Sequence, residues 1–301
     1  MTSLRSVLVL PLAAALVLAA CGGDDEAETP AGPVALITIN VGSTTEPLSE
    51  LLSEIYGQAL ENSGQRVGRK DPVADRAATY AALESGRVQL VPELSASLLA
   101  FLGKPVPPTV AEQTTALTEA LPTTLAANPI SSVDATAVVA CTPAAADEFG
   151  LASVTEVAAA AGQITLGVSQ AFRDATAGGL TALASAYETE FTDVVTVEAS
   201  GIADAVAAGD LECVVASDLE PSIITAGLLP LADPKAVLPT DTVVPLLSIE
   251  VSTPEVVTIL TQVNASLTTD VVRALLVKLA VGDDSYPVVA KDFLASISTE
   301  Q

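Results

Sequence analysis

The side chains that most often perform catalysis are missing from this sequence or are not arranged for it. The chain of 301 residues has no histidine, which excludes Ser-His-Asp and Cys-His nucleophiles and histidine metal ligands. Its 37 Asp and Glu residues do not follow a calcium-loop spacing, and Gly178-Gly179 lacks the pattern of a phosphate-binding loop. We therefore expect neither an enzyme nor a metal or cofactor site. Any acid–base work would fall to carboxylates such as Glu93 and Asp218.

Three cysteines remain, and the first marks a processing site. Residues 1–20 have an early charge at Arg5, an apolar run and small residues before Cys21, the layout of a secretory signal peptide. Residues 18–22, Leu-Ala-Ala-Cys-Gly, resemble the lipobox of bacterial lipoproteins, which implies that Cys21 is lipidated and begins the mature chain. The alternatives are an ordinary secreted protein or one membrane-spanning helix, for which the apolar run is short against the roughly 20 residues that a span needs.

The next segment and the charge indicate where the protein lies and which partners it excludes. Residues 21–33 are acidic and have no apolar periodicity, as expected of a flexible tether. We expect a lipid-anchored protein at the extracytoplasmic face of the cell membrane. A formal net charge of −25 argues against nucleic acid, because phosphates are bound by clusters of Lys and Arg.

Predicted strands and helices alternate along the rest of the chain. Strands are predicted at 34–41, 66–69, 89–91 (ending at Pro92), 135–141, 164–168, 194–198, 212–216 and 242–247. Helices are predicted at 47–62, 74–85, 96–102, 110–125, 154–161, 179–187, 202–208, 254–265, 269–281 and 286–298. This order predicts two α/β units with largely parallel sheets. Pro245 places the strand at 242–247 at a sheet edge or at a crossing between the units.

Two such units predict a ligand cleft between two lobes. The strands at 135–141 and 242–247 are the candidate crossings. A cleft of this kind is a common ligand site, and hinge closure around the ligand is its usual motion.

Five segments stand in the order of motifs from one known family. Residues 41–56, VGSTTEPLSELLSEIY, are similar to GSKxFTEQ followed by LxEIY, and residues 80–93, YAALESGRVQLVPE, to ALxSGxIDLYPEYTGT. Residues 205–218, AVAAGDLECVVASD, are similar to ALxxGxIDVxxxFSTD; residues 240–245, TDTVVP, to ADNVVP; and residues 268–270, TTD, to LTTxD. From Val34 to Leu294 the chain thus resembles the substrate-binding lipoproteins of ABC transporters for glycine betaine, choline and carnitine, which are osmoprotectants.

The resemblance implies a fold, a domain division and partners. It implies the type II periplasmic-binding-protein fold, an α/β fold with two lobes and two crossing strands as the hinge. Lobe 1 would contain residues 34–138 and 243–301, and lobe 2 residues 139–242. The partners would be a small-molecule solute and the transmembrane subunits of an ABC permease, with the receptor itself a monomer.

The resemblance also implies a cleft in which aromatic rings surround a small organic cation while Lys, Arg and hydroxyl groups bind its carboxylate. This sequence differs from the family's pattern at three of these positions. Thr44 replaces the family's lysine, Glu46 replaces its phenylalanine, and Leu94 replaces the tyrosine that follows Pro-Glu in the family. Val215 or Ala216 stands at a further aromatic position, and Phe172-Arg173 matches the segment with the family's arginine. The predicted ligand residues are Ser43, Thr44, Thr45, Leu94, Ser95, Ser97, Arg173, Ser217 and Asp218.

These differences leave the ligand open. The hydroxyl groups suit a polyol, a sugar-like compound or a modified amino acid, while acidic groups can pair with a cation directly. For Ser95 and Ser97, at the start of a helix, the alternative is N-capping. As a transport receptor, the protein would bind either an osmoprotectant or another polar solute. The second class of function is a surface lipoprotein or sensor that takes no part in transport.

Cys141 and Cys213 form an even pair in an exported protein, which invites a disulfide. In the family's second lobe, the entering strand runs antiparallel beside the strand at 212–216, so both cysteines would lie at the end remote from the cleft. Such a bond would be structural and contribute about 2–4 kcal/mol. The alternative is two buried reduced thiols.

Overall fold

The computed structural model describes residues 37–298, apart from 128, 176, 177 and 239. The signal peptide, the lipidation site Cys21 and the tether at 21–33 lie outside the described residues, so these predictions stay predictions. Among the described residues, no helix has the length and apolar character that crossing a membrane requires.

Within the described residues, ten strands form two mixed sheets of five strands each. In chain order the strands are β1 Ile39–Val41, β2 Val67–Arg69, β3 Leu90–Leu94, β4 Leu125–Ala127, β5 Ala137–Cys141, β6 Thr165–Val168, β7 Asp193–Thr196, β8 Cys213–Ser217, β9 Leu229–Leu231 and β10 Val243–Ser248. The first sheet has the order β2-β1-β3-β10-β4 and the second β7-β6-β8-β5-β9. Each sheet therefore contains one strand that runs antiparallel between its neighbours, β10 in the first and β5 in the second.

Helices connect the strands and close the chain. They are α1 Pro47–Asn62, α2 Arg76–Glu84, α3 Ser95–Phe101, α4 Val110–Ala120, α5 Pro143–Phe149, α6 Val154–Ala159, α7 Gln170–Asp174, α8 Leu180–Ala186, α9 Ile202–Ala208, α10 Pro221–Thr225, α11 Pro254–Ser266, α12 Thr269–Val281 and α13 Tyr286–Ser298. The predicted α/β class with two sheets is thus confirmed.

Apolar residues cover both faces of each sheet. Val139 and Cys141 belong to one buried cluster of the second sheet, while Ala140 between them belongs to another. The same alternation separates Leu90 from Val91 in the first sheet. Successive side chains of a strand point to opposite faces, so β3 and β5 each contribute side chains to two cores.

One sequence prediction about prolines is wrong, and one holds in its second alternative. The strand predicted to stop at Pro92 continues to Leu94. The strand with Pro245 is not an edge strand, because it lies between β3 and β4, but it begins at the crossing, where Thr242 and Val243 pair with the segment at 131–134. The two prolines face each other in the β3–β10 ladder. Backbone bonds of Ser95 to Thr242 and of Ser248 to Gln89 fix the alternation of this antiparallel ladder, which makes the proline pair a non-hydrogen-bonded one. Neither proline therefore removes a bond between these two strands.

The helix predicted over 110–125 is too long. It ends at Ala120, and Leu121 already has extended backbone (φ −74°, ψ 145°). The residue before a proline avoids the helical region, and Pro122 follows. The chain then forms β4, an edge strand that the sequence analysis missed.

Cys141 and Cys213 are register partners in the antiparallel β5–β8 ladder. Both are buried, and their Sγ atoms are bonded to each other in the structure. The bond joins strands that are 72 residues apart in the chain.

Candidate functional site

Two antiparallel segments connect the two sheets. The Ala135 N–H donates to Asp241 O (2.9 Å) and the Ser131 N–H to Val243 O (3.0 Å). A third segment joins them after β8, where the Asp218 N–H donates to Thr136 O (3.0 Å). The chain thus passes between the sheets in paired, hydrogen-bonded strands, as expected of a two-strand hinge.

Asp241 connects one crossing segment to the start of α3. Its buried carboxylate accepts hydrogen bonds from the backbone N–H of Ala96 (2.8 Å), the N–H of Ser97 (3.1 Å) and the Ser97 hydroxyl (2.5 Å). Burial raises the pKa of Asp241, and these hydrogen bonds oppose the rise. The Ser95 hydroxyl donates to Gln113 Oε1 (2.6 Å). In this conformation, both predicted serines at the start of α3 donate their hydroxyl hydrogens to protein atoms.

A small cavity of about 100 Å³ lies on the first-sheet side, where β1 and β3 end. Thr44, Glu46 and Leu94 line it, together with an ion pair that the sequence analysis missed. In that pair Arg76 Nε lies 2.8 Å from Glu93 Oε2, and the Glu93 side chain is only 5% exposed. Burial raises the pKa of Glu93, while the charge and hydrogen bond of Arg76 lower it.

A larger depression of about 530 Å³ lies between elements of the two sheets. On one side are Thr45, Glu46 and Pro47; on the other are the 3-10 turn Ala199–Gly201 with Glu198, and α10 with Glu220. Glu46 lines both this depression and the smaller cavity. The two spaces therefore form one candidate site.

Three carboxylates give this site its character. Burial raises the pKa of Glu46 first, and the negative charges of Glu220 and Glu198 raise it further. Hydroxyl groups of Thr45, Ser200, Ser222 and Thr225 lie among the carboxylates, and none of the described residues that line the depression is aromatic. The arrangement can attract a cation and offer it hydrogen-bond acceptors.

The remaining predicted residues lie apart from this depression. Asp218 Oδ2 pairs with Arg273 Nη2 of α12 (3.1 Å), while no described residue offers a hydrogen bond to its buried Oδ1. Burial raises the pKa of Asp218, Asp134 raises it further, and Arg273 lowers it. The Ser217 hydroxyl donates to Ala135 O (3.3 Å).

Arg173 and Ser43 are also placed elsewhere. Arg173 donates from Nη2 to Val194 O (2.9 Å), and its buried Nε has no hydrogen-bond partner among the described residues. It does not line the depression. Ser43 lines a separate groove on the first sheet. Of the predicted set, only Thr44, Thr45 and Leu94 line the candidate site.

Arg76, Glu198 and Glu220 were not predicted as site residues, although a signal existed for Glu220, which follows the strand predicted at 212–216. Glu198 was placed inside the strand predicted at 194–198, whereas β7 ends at Thr196 and leaves Glu198 beyond its carboxyl end. Ligands of open α/β sheets bind at these ends. Glu46 follows the end of β1 in the same way.

Comparison with known proteins places the chain in context. A family model described as the substrate binding domain of an ABC-type glycine betaine transport system matches residues 37–296. The crystal structure of a glycine betaine/carnitine/choline ABC transporter protein is similar with a TM-score of 0.74 and 15% identity, covering 86% of this chain and 98% of that one. No curated protein matches.

Two further structures have the same fold. Apo YehZ from Escherichia coli has a TM-score of 0.64 and 21% identity, over 86% of this chain and 98% of that one. A choline binding protein of an ABC transporter, in complex with choline, has a TM-score of 0.62 and 14% identity, over 87% and 89%. The two-lobed periplasmic-binding-protein fold predicted from the sequence is thereby confirmed.

Proposed function

Because the chain belongs to the family of substrate-binding domains of ABC-type glycine betaine transport systems, we propose that it binds a small organic cation between its lobes and delivers it to an ABC permease. Lobe 1 would contain residues 34–138 and 243–301, and lobe 2 residues 139–242. The receptor would be monomeric and would have no enzymatic activity. The non-transport alternative finds no support in the comparisons.

The observation that carries the ligand class is the group of three carboxylates, Glu46, Glu198 and Glu220, in the depression between the sheets. A cation–π contact contributes about 0.5–2 kcal/mol, and these carboxylates replace such contacts with direct charge attraction. They favour a ligand of net positive charge, such as choline, over a zwitterion such as glycine betaine. A betaine carboxylate would meet repulsion from the same three groups.

We also propose that Cys21 carries a lipid that tethers the receptor to the extracytoplasmic face of the membrane. The lipobox-like sequence Leu-Ala-Ala-Cys-Gly at 18–22 supports this proposal. Mass spectrometry of the protein extracted from host membranes should find an N-terminal diacylglyceryl-cysteine. An N-terminus at another residue would contradict the proposed lipid anchor without affecting the proposed ligand binding.

Replacing Glu198 and Glu220 together by glutamine is expected to weaken choline binding at least tenfold. The change keeps side-chain size and removes two of the three charges. Because choline's ammonium nitrogen has no hydrogen to donate, the loss is one of charge attraction, which is about 4 kcal/mol for two unit charges 4 Å apart near a protein surface, and a tenfold weakening corresponds to about 1.4 kcal/mol. Calorimetric titration of the wild type and variant with choline, glycine betaine and sorbitol measures it. Since the chain has no Trp, heat is a better signal than fluorescence.

Glu255→Gln is the matched control, because Glu255 is an exposed glutamate in the first turn of α11. It should leave binding unchanged. Wild-type choline affinity should also fall as pH is lowered toward the raised pKa of Glu46, since protonation removes the third charge. Binding of sorbitol alone, or of choline with equal strength by wild type and double variant, would rule out the carboxylate site.

A further inference from the structure

A second cavity lies in the first sheet and shares no lining residue with the site between the lobes. It is a groove of about 510 Å³ alongside α2. Helix α2 contacts β3 and β10, and the groove lies between α2 and the end of β1, at Asn40, Gly42 and Ser43. Small residues in its lining, Gly42 and Ala82, deepen the groove. Its volume lies in the range of small-molecule sites, about 300–1,000 Å³.

The floor of the groove is apolar. Ala82, Val88 and Val91 line it and are buried, with 7%, 5% and 1% of their surface exposed. A ligand without an apolar part would leave these apolar side chains in contact with water. An aliphatic or aromatic body would gain from covering it.

One polar side chain in the groove, that of Ser43, is mostly buried and has no hydrogen-bond partner in the part of the chain that the structure describes. Ser43 is 3% exposed, and its hydroxyl makes no hydrogen bond to a described residue. Its Oγ is not among the fully buried side-chain atoms that lack a partner, so the exposed part of Ser43 includes the hydroxyl oxygen. Ser43 lines the groove, where a ligand atom can form a hydrogen bond with its hydroxyl.

Two cationic side chains stand at the exposed rim. Lys70 and Arg87 line the groove, and neither forms an ion pair with a described carboxylate. Arg87 Nε donates only to the Ser85 hydroxyl (3.3 Å). Asp71, exposed at the same rim, is the one opposing charge in the lining. Two unpaired cations beside one groove stand out in a chain with 12 basic and 37 acidic residues.

We propose that this groove binds a small amphipathic monocarboxylate. Its apolar body covers Ala82, Val88 and Val91, its carboxylate meets Lys70 or Arg87, and the Ser43 hydroxyl donates to a ligand oxygen. The charge preference is opposite to that of the carboxylate site between the lobes. The proposal is independent of the transport function, since it rests on a different set of residues.

Titration calorimetry with isovalerate tests the proposal, using the processed full chain. Isovalerate should bind with a Kd of about 1 mM or below, and the neutral isostere isovaleramide at least tenfold more weakly. Saturating choline should not displace isovalerate, which separates this groove from the site between the lobes. Absence of isovalerate binding, or equal binding of the amide, would overturn the proposal.

Variants locate the site. Lys70→Gln combined with Arg87→Gln should weaken isovalerate binding at least tenfold, while Lys104→Gln, which removes an exposed cation elsewhere, should not change it. Ser43→Ala should weaken binding threefold or more, and Ala82→Leu should fill the groove. Thermal melts of each variant confirm folding. Unchanged isovalerate affinity in the double variant would contradict the assignment even if the wild type binds.

Discussion

Reduction of the bond between Cys141 and Cys213 is expected to lower the free energy of unfolding by about 4 kcal/mol. The bond closes a loop between residues 72 positions apart, and the entropy it removes from the unfolded chain grows with loop length. For a domain of this size the loss corresponds to a fall in melting temperature of roughly 10 °C. Guanidinium unfolding with and without a thiol-free reductant measures it.

The double variant Cys141→Ala/Cys213→Ala is the control for this experiment. Its unfolding midpoint should lie near that of the reduced wild type and should not respond to reductant. Both cysteines are buried at the β5–β8 ladder, and the candidate ligand sites do not include them. Choline affinity should therefore survive reduction. Identical midpoints for wild type with and without reductant would mean that the thiols are free in the protein.

The second large effect is expected at the buried ion pair beside the cleft. Arg76→Ala should destabilise the protein by about 3 kcal/mol at pH 7, because it leaves the Glu93 carboxylate buried without its counter-ion. Glu93 is 5% exposed on its side chain, against 31% for Arg76. Urea unfolding measures the loss, and Arg66→Ala, at an exposed arginine, should change stability by no more than about 0.5 kcal/mol.

The pH dependence of the variant identifies the cause. Burial already raises the pKa of Glu93 above its ordinary value of 4.5, and Arg76 opposes the rise. Without Arg76 the folded-state pKa rises further, so the folded protein binds the proton more tightly than the unfolded chain. The variant should therefore regain stability as pH falls from 7 through the folded-state pKa toward 4.5. Adding Glu93→Gln should restore most of the loss at pH 7; a loss independent of pH would point to packing instead.

Long elements with clear end signals were predictable from the sequence. Helix α1 begins at Pro47 and α12 follows the N-cap Thr268, and both have the bounds that periodicity predicts. Short elements were not. Helix α10, at 221–225, is held by a capping glutamate and tertiary packing, and the edge strand β9 has three residues. Elements of this length carry too few residues for a period to be visible.

The candidate site was predictable only where local sequence determines position. Thr44 and Thr45 follow a strand and line the candidate site, while their contact with a ligand stays a prediction. Ser97 turned inward because Asp241, distant in the chain, accepts its hydrogen bond. The gathering of Glu46 with Glu198 and Glu220 likewise depends on how the lobes meet, which no window of sequence contains.

The opposed prolines of β3 and β10 have a consequence for assembly. β10 reaches its place only after the entire second sheet has been traversed, so its pairing with β3 is a contact between distant parts of the chain. In the native register Pro92 and Pro245 share a position that needs no donor from either. A slip of one residue would turn the apolar side chains of β10 to the wrong faces and would put proline where the ladder needs an N–H. The proline pair thus disfavours misaligned strand pairing at β10, the last strand to join the first sheet.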